Sequence, residues 1–327
     1  MRTSLQKITS VLTVAAAFAA AAPGLAQTTQ KFPTKPVRVL IGFSPGSATD
    51  ILARIIGPKL ADMWGHPVVI ENRSGASGMF ATTMVAQATP DGHTLLLMTG
   101  TFAINAVLQK NLPYDALKGF RGVIHIGAGN SAIMVAPSLG VKSIKELIAL
   151  ANERPSKILF GSTGATGVVR MSTERFNMAA GINVTHVGFK GQPEMLIEVL
   201  AGRIHYSLLG LSAALSFVRD GRLLALAVVT PKRSPLLPDV PAMVEILPKF
   251  ERDAGHGLLA PGRTPNAIVH QINKDVVRVI ELPDVKERFQ AIAFEPAPTT
   301  PEDYDQLIRS QIQIYTRVAK AVGLLSQ

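Results

Sequence analysis

Gly42-Phe43-Ser44-Pro45-Gly46 is the stretch whose residue types could do covalent chemistry. It matches G-x-S-x-G and stands between an apolar run, Val37–Ile41, and a helical pattern, where a nucleophilic serine elbow belongs. Ser44 would attack an acyl carbonyl, and the backbone N–H of the next residue would hold the oxyanion. That residue is Pro45, which has no N–H. A secreted serine hydrolase using Ser44 is thus the alternative reading, against a non-enzymatic one in which the turn seats an anion. The first amides of a helix are unpaired and carry the positive end of its dipole, so a strand–loop–helix turn suits a carboxylate.

A second stretch of the same kind, Gly161-Ser162-Thr163-Gly164-Ala165-Thr166-Gly167, supplies hydroxyls and permissive glycines before another helical pattern. No lysine follows to make it a phosphate-binding P-loop, and no G-x-G-x-x-G follows the first strand, so no nucleotide cofactor is implied. The seven histidines are dispersed and none pairs at ligand spacing, so no metal site is expected. There is no cysteine, which removes disulfides, thiolate metal sites and a thiol nucleophile.

The elements that must position these loops follow from hydropathy. Residues 37–41, 67–71 and 94–99 read as strands, and 49–64 and 79–88 as helices, with Gly57-Pro58 expected to kink or restart the first. This is βαβαβ, the pattern of a parallel sheet. Strands at 122–126 and 132–135 flank a crossing between domains. A second series follows, with helices over 143–153, 170–180, 195–202 and 213–220 and strands over 158–161, 184–187, 204–209 and 225–229. Ser143 and Glu146 make a capping box for the first of these helices. Residues 257–260 read as a return strand, and 264–280, 283–292 and 301–322 as closing helices. The expected class is α/β, with a ligand crevice at the carboxyl ends of the strands.

The first 26 residues differ from the rest. Arg2 and Lys7 precede an alanine-rich apolar run, and Gly24-Leu25-Ala26 supplies small residues for cleavage, so 1–26 reads as an export signal. The chain has 327 residues and net charge +10; without the two positive charges of the leader, 10 − 2 leaves +8. The basic residues are scattered and no aromatics interleave with them, which argues against nucleic acid. A cationic field that steers small anions suits this pattern.

The sequence resembles the periplasmic solute-binding proteins of the tripartite tricarboxylate transporter system, the Bug-type receptors. The resemblance lies in FPTKPVRVLIGFSPGSATDILAR, PVVIENRSGASG, ATPDGHTLLL, NLPYDALKGF, THVGFKG, GLLAPGRTP and PEDYDQLIRSQI, in order along nearly all of the chain after the leader. It implies a Venus-flytrap receptor of type II: domain I over 33–128 and 250–327, domain II over 129–249, and a small organic acid between them. It also implies periplasmic location, a monomer, integral-membrane transporter subunits as partners, or in some relatives a sensory pathway. Carried onto this chain, the ligand residues are Phe43, Ser44, Pro45, Gly46, Ser47 and Asp50, with Gly75 and Thr101, and from domain II Ser162, Thr163, Gly164, Ala165, Thr166, Phe189 and Gly210. The chain departs from the family pattern at Ser47, which stands where a second glycine is usual, and at Arg170, which replaces a histidine. Ile204–Gly210 also lacks the usual two acids and an amide. These departures favour an anion with an apolar or aromatic body, paired by Arg170.

Overall fold

The computed structural model describes residues 32–164, 167–248, 250 and 255–325. The leader, Ala165 and Thr166 lie outside them. The chain forms two sheets with helices packed on both faces of each.

The first sheet starts with β1 (Val37–Ile41), α1 (Ala48–Trp64), β2 (Val68–Asn72), α2 (Met79–Ala86), β3 (Thr94–Thr99) and α3 (Thr101–Leu108). β1 lies parallel between β2 and β3, as a βαβ series requires. A long strand, β4 (Phe120–Gly129), ends this pass, and Asn130 alone separates it from β5 (Ser131–Val135) in the second sheet. There the chain continues through α4 (Ile144–Glu153), β6 (Leu159–Thr163), α5 (Val168–Ala180), β7 (Thr185–Phe189), α6 (Gln192–Leu200), β8 (Tyr206–Gly210), α7 (Leu211–Arg219), β9 (Leu224–Val228) and the short α8 (Met243–Ile246). It returns through β10 (His256–Pro261), then α9 (Asn266–Ile280), α10 (Pro283–Ala291), β11 (Phe294–Pro296) and α11 (Pro301–Ala321). The strand orders are β11-β4-β10-β3-β1-β2 and β7-β6-β8-β5-β9.

Each sheet buries two apolar layers. In the first, Val39, Ile41, Leu95 and Leu97 face α1 and α9, while Leu40, Leu96 and Met98 face α2 and α11. In the second, Ile133, Phe160 and Tyr206 lie on the α4 and α5 side, and Met134, Leu209 and Met195 on the α6 and α7 side. A fifth cluster joins the two bodies. Ala103 and Ile104 of α3, Met171 of α5, and Ile314, Tyr315 and Val318 of α11 are all buried together.

Three local expectations change. α1 runs unbroken through Pro58. The lost hydrogen bond falls on the solvent face, where Arg54 and Pro58 are exposed, while Leu52, Ala53, Ile55, Ile56 and Leu60 are buried on the other. An interior proline costs about 3 kcal/mol, and each fully buried aliphatic side chain returns about 1.5–3 kcal/mol, so packing outweighs the break. α6 begins at Gln192, ahead of the expected 195, because Pro193 fits the first turn of a helix. α3 was not announced by periodicity, since its segment TFAINAVL is apolar nearly all round.

Candidate ligand-binding cleft

The residue types at the first turn shape a tight loop. Ser47 caps α1, its Oγ accepting from Asp50 N at 3.3 Å, and Ser47 N donates to Ser44 O at 3.1 Å. The Asp50 carboxylate is buried and works inside the loop: it accepts from Gly46 N (2.9 Å), Arg54 Nε (3.0 Å) and Asn72 Nδ2 (3.0 Å). Asn72 also donates to Phe43 O. The Arg54 guanidinium, with these amide donors, holds the Asp50 carboxyl below the usual carboxylate range. Gly46 has φ +79, a left-handed turn that suits glycine. Behind the loop, a side chain on Gly42 would stand 2.6 Å from the Gly78 backbone, so the two segments meet glycine on glycine.

The second turn is built differently. Ser162 is fully buried at the end of β6; its hydroxyl donates to Gly164 O at 3.2 Å and lies 2.7 Å from His186 Nε2 on β7. Since the hydroxyl proton goes to the carbonyl, the imidazole N–H donates to Ser162. Burial, and then the charge of Arg170, pushes His186 down to about 4. Gly164 N donates to Phe189 O, tying the loop to β7. Arg170 lies one turn from Glu174 on α5, Nε to Oε1 at 3.6 Å, with its side chain largely buried.

Between the bodies lies a cavity of about 850 Å³. Of the residues singled out by sequence, Phe43, Ser47, Thr101 and Gly210 line it. Ser44, Pro45 and Gly46 are exposed, and Asp50, Gly75, Ser162, Thr163, Gly164, Arg170 and Phe189 stand outside the lining. Gly75 sits against the Phe80 ring in the turn before α2.

Five helices present their starts to the cavity. α1 contributes Ser47, Ala48 and Thr49; α3, Gly100 and Thr101; α5, Val168 and Val169; α6, Gln192; and α7, its N-cap Gly210. Thr99 holds the start of α3, its Oγ1 accepting from Thr101 N and donating to Thr101 Oγ1. Phe43, Val168, Val169, Leu208 and Val229 give the space apolar walls.

Sequence reasoning missed a second set of lining residues: His125 on β4, His256 at the start of β10, Glu295 on β11, and Lys232 beyond β9. They come together because β10 runs antiparallel, so its first residue meets the end of β3, and because β11 closes the sheet edge beside β4. His125 Nδ1 lies 3.0 Å from Ala297 O, which as a carbonyl can only accept, so Nδ1 is the donor. Burial, with His125 beside it, pushes His256 down to about 4. Burial raises the Glu295 carboxyl, opposed by Lys232 across the cleft. Among the described residues no group of three His, Cys, Asp or Glu side chains could hold a metal ion, and no helix is long and apolar enough to cross a membrane.

Two α/β bodies, joined by crossing strands and closing on a cleft rimmed by helix starts, define a two-lobed solute-binding protein. Comparison makes this specific. The sequence model for the Tripartite tricarboxylate transporter family receptor matches residues 52–324, and the chain belongs to that family. Protein BugT of Bordetella pertussis is 30% identical over 306 residues, 93% of each chain. An R. palustris protein solved with adipate is 32% identical and superimposes with a TM-score of 0.71 over 89% of this chain and 98% of its own. The periplasmic binding protein BugD is 27% identical, with a TM-score of 0.69 over 90% of this chain and 100% of its own.

Proposed function

We propose that this protein captures a small organic carboxylate in the cleft, in the periplasm, and hands it unchanged to integral-membrane subunits of a tripartite tricarboxylate-type transporter. The observation that carries this reading is the convergence of five helix starts on one cavity. Each offers unpaired N–H groups and a positive dipole end, and hydrogen bonds from such donors to a carboxylate are charge-assisted. The adipate held by the R. palustris relative has this chemistry.

The moving parts in this reading are 33–128 with 250–327, and 129–249, turning about Asn130 and the return into β10. A ligand touching both bodies favours the closed arrangement by its differential affinity for it. The protein acts as a monomer and needs no cofactor. In this reading Ser44 performs no acyl transfer, since Pro45 beside it has no N–H to hold an oxyanion. Of the ligand residues, Phe43, Ser47, Thr101 and Gly210 make contact, while Asp50 and Ser162 shape the two loops.

Titration calorimetry with linear mono- and dicarboxylates against their amides tests the reading, together with native mass spectrometry of the protein as purified. Carboxylates should bind and be recovered intact, and the amides should not bind. Equal binding of acids and amides, or turnover lost in Ser44→Ala, would overturn it.

A further inference from the structure

The cleft is chemically polarised along its length. All five helix starts lie on one half. α1 and α3 follow β1 and β3; α5, α6 and α7 follow β6, β7 and β8. These two sets face each other, because α3 and α5 pack together with α11. The other half is formed by β4 and β11 of one body and by β5 and the segment after β9 of the other; the helix starts border it at Gly210, paired with Ser131 of β5, and just beyond Thr99, paired with His256. The two bodies also meet there, where Asn130 N donates to Ala293 O; within the second body Val229 N donates to Ser131 O across the β5–β9 edge.

The unpartnered polar atoms follow the same division. On the helix-start half, Gln192 Nε2 is a buried N–H donor with no hydrogen-bond partner. On the far half, the Glu295 carboxylate is in the lining and its Oε2 has no hydrogen-bond partner; His256 Nδ1, on β10, is also unpartnered. A buried carboxylate oxygen without a donor costs free energy that a ligand group could recover. From the end of β3 to β11 is three strand spacings, about 14 Å at about 4.8 Å each. Between them the walls are Val168, Val169, Leu208 and Val229.

We propose that Glu295 is a specificity-determining residue: it reads a hydrogen-bond donor, hydroxyl or ammonium, at the end of the ligand opposite its carboxylate. The preferred ligand class is then an elongated acid with an apolar middle and a distal donor, not a simple mono- or dicarboxylate. Lys232 lines the same half and is exposed, where it can swing to solvent, whereas Glu295 is half-buried in the lining. The inference rests on the carboxylate reading above, so its test is built on ratios within a series of acids.

The experiment is calorimetry of the purified protein with octanoate, 8-hydroxyoctanoate, 8-aminooctanoate and octanedioate, and with their six- and ten-carbon counterparts. At one chain length or more, the hydroxy or amino acid should bind about tenfold tighter than its unsubstituted parent, the factor of one hydrogen bond to a charged group. Glu295→Leu should bring that ratio to about one. Glu295→Gln keeps an acceptor but loses the charge, so it should abolish an ammonium preference and retain part of a hydroxyl preference; this separates the two donors. If parents and donors bind alike at every length, or the diacid binds tightest, the inference is overturned while the carboxylate reading stands. If no acid of the series binds, both fall.

Discussion

The two strand–loop–helix turns look alike in sequence and are held by opposite means. At the first, a buried carboxylate gathers Gly46, Arg54 and Asn72, and Ser47 caps the helix. At the second, the lock is a neutral pair, Ser162 with His186, and Gly167 at the start of α5 makes no side-chain cap. α5 is anchored by apolar burial against α3 and α11 instead. Charge-assisted bonds define a geometry sharply; apolar contacts are not directional. The first loop is thus fixed by its own bonds, and the position of the second depends on how the two bodies pack.

That contrast can be broken by substitution. The largest effect should come from Met171→Ala, which empties a fully buried site shared by both bodies. Urea unfolding should show a loss of about 2–5 kcal/mol, and a loss near zero would mean the anchor is not apolar packing. Next is Asp50→Ala, which leaves the Gly46 and Asn72 donors unpaired and should cost about 2–4 kcal/mol as well as weaken carboxylate binding. If affinity survives that change intact, the first loop does not seat the ligand.

Acid should loosen the two turns in order. His186 is pushed down to about 4, so the unfolded chain binds its proton first, and stability falls as pH drops from about 6.5 to about 4. Because the ring is partly exposed, we expect about 1–2 kcal/mol, and His186→Asn should flatten that part of the curve. The carboxyl of Asp50 is depressed too, so its contribution is present above the ordinary carboxylate range and is lost only as pH falls through and below it. A stability curve level from pH 7 to 4 would contradict this order. Ser47→Ala should cost about 1 kcal/mol, the worth of a helix cap.

The subtlest probe is Arg170→Ala. Its guanidinium is beside Glu174 and close enough to His186 to depress it. The His186 titration, followed by NMR, should move up while carboxylate affinity holds. A tenfold loss of affinity would instead make Arg170 the ligand's partner, as its place in the sequence suggested.

Much of this molecule was legible from local pattern. The β1–loop–α1 unit, with Ser47 and Asp50 at the helix start, follows from an apolar run, a proline-glycine turn and good capping residues. The strand expected over 122–126 runs on to Gly129 and the one expected over 132–135 begins at Ser131, so the link is Asn130 alone. Pro58 misled, because burial of one face of α1 outweighs a missing hydrogen bond on the other. A helix start at 195 leaves Gln192 outside the helix, although it is the first residue of α6 and lines the cleft.

The chain's residues by themselves determined the α/β class, the two glycine-bearing turns and the absence of a cysteine or P-loop chemistry, since each depends on neighbours within a few positions. Only the tertiary structure decided which of those residues face the cleft, and that His125, His256 and Glu295 share it. Their positions depend on an antiparallel return strand and on a three-residue strand, β11, added to the sheet's edge. Pairings made between residues up to about 170 positions apart leave no periodicity in the sequence, because they are set by sheet hydrogen bonding and by packing between elements.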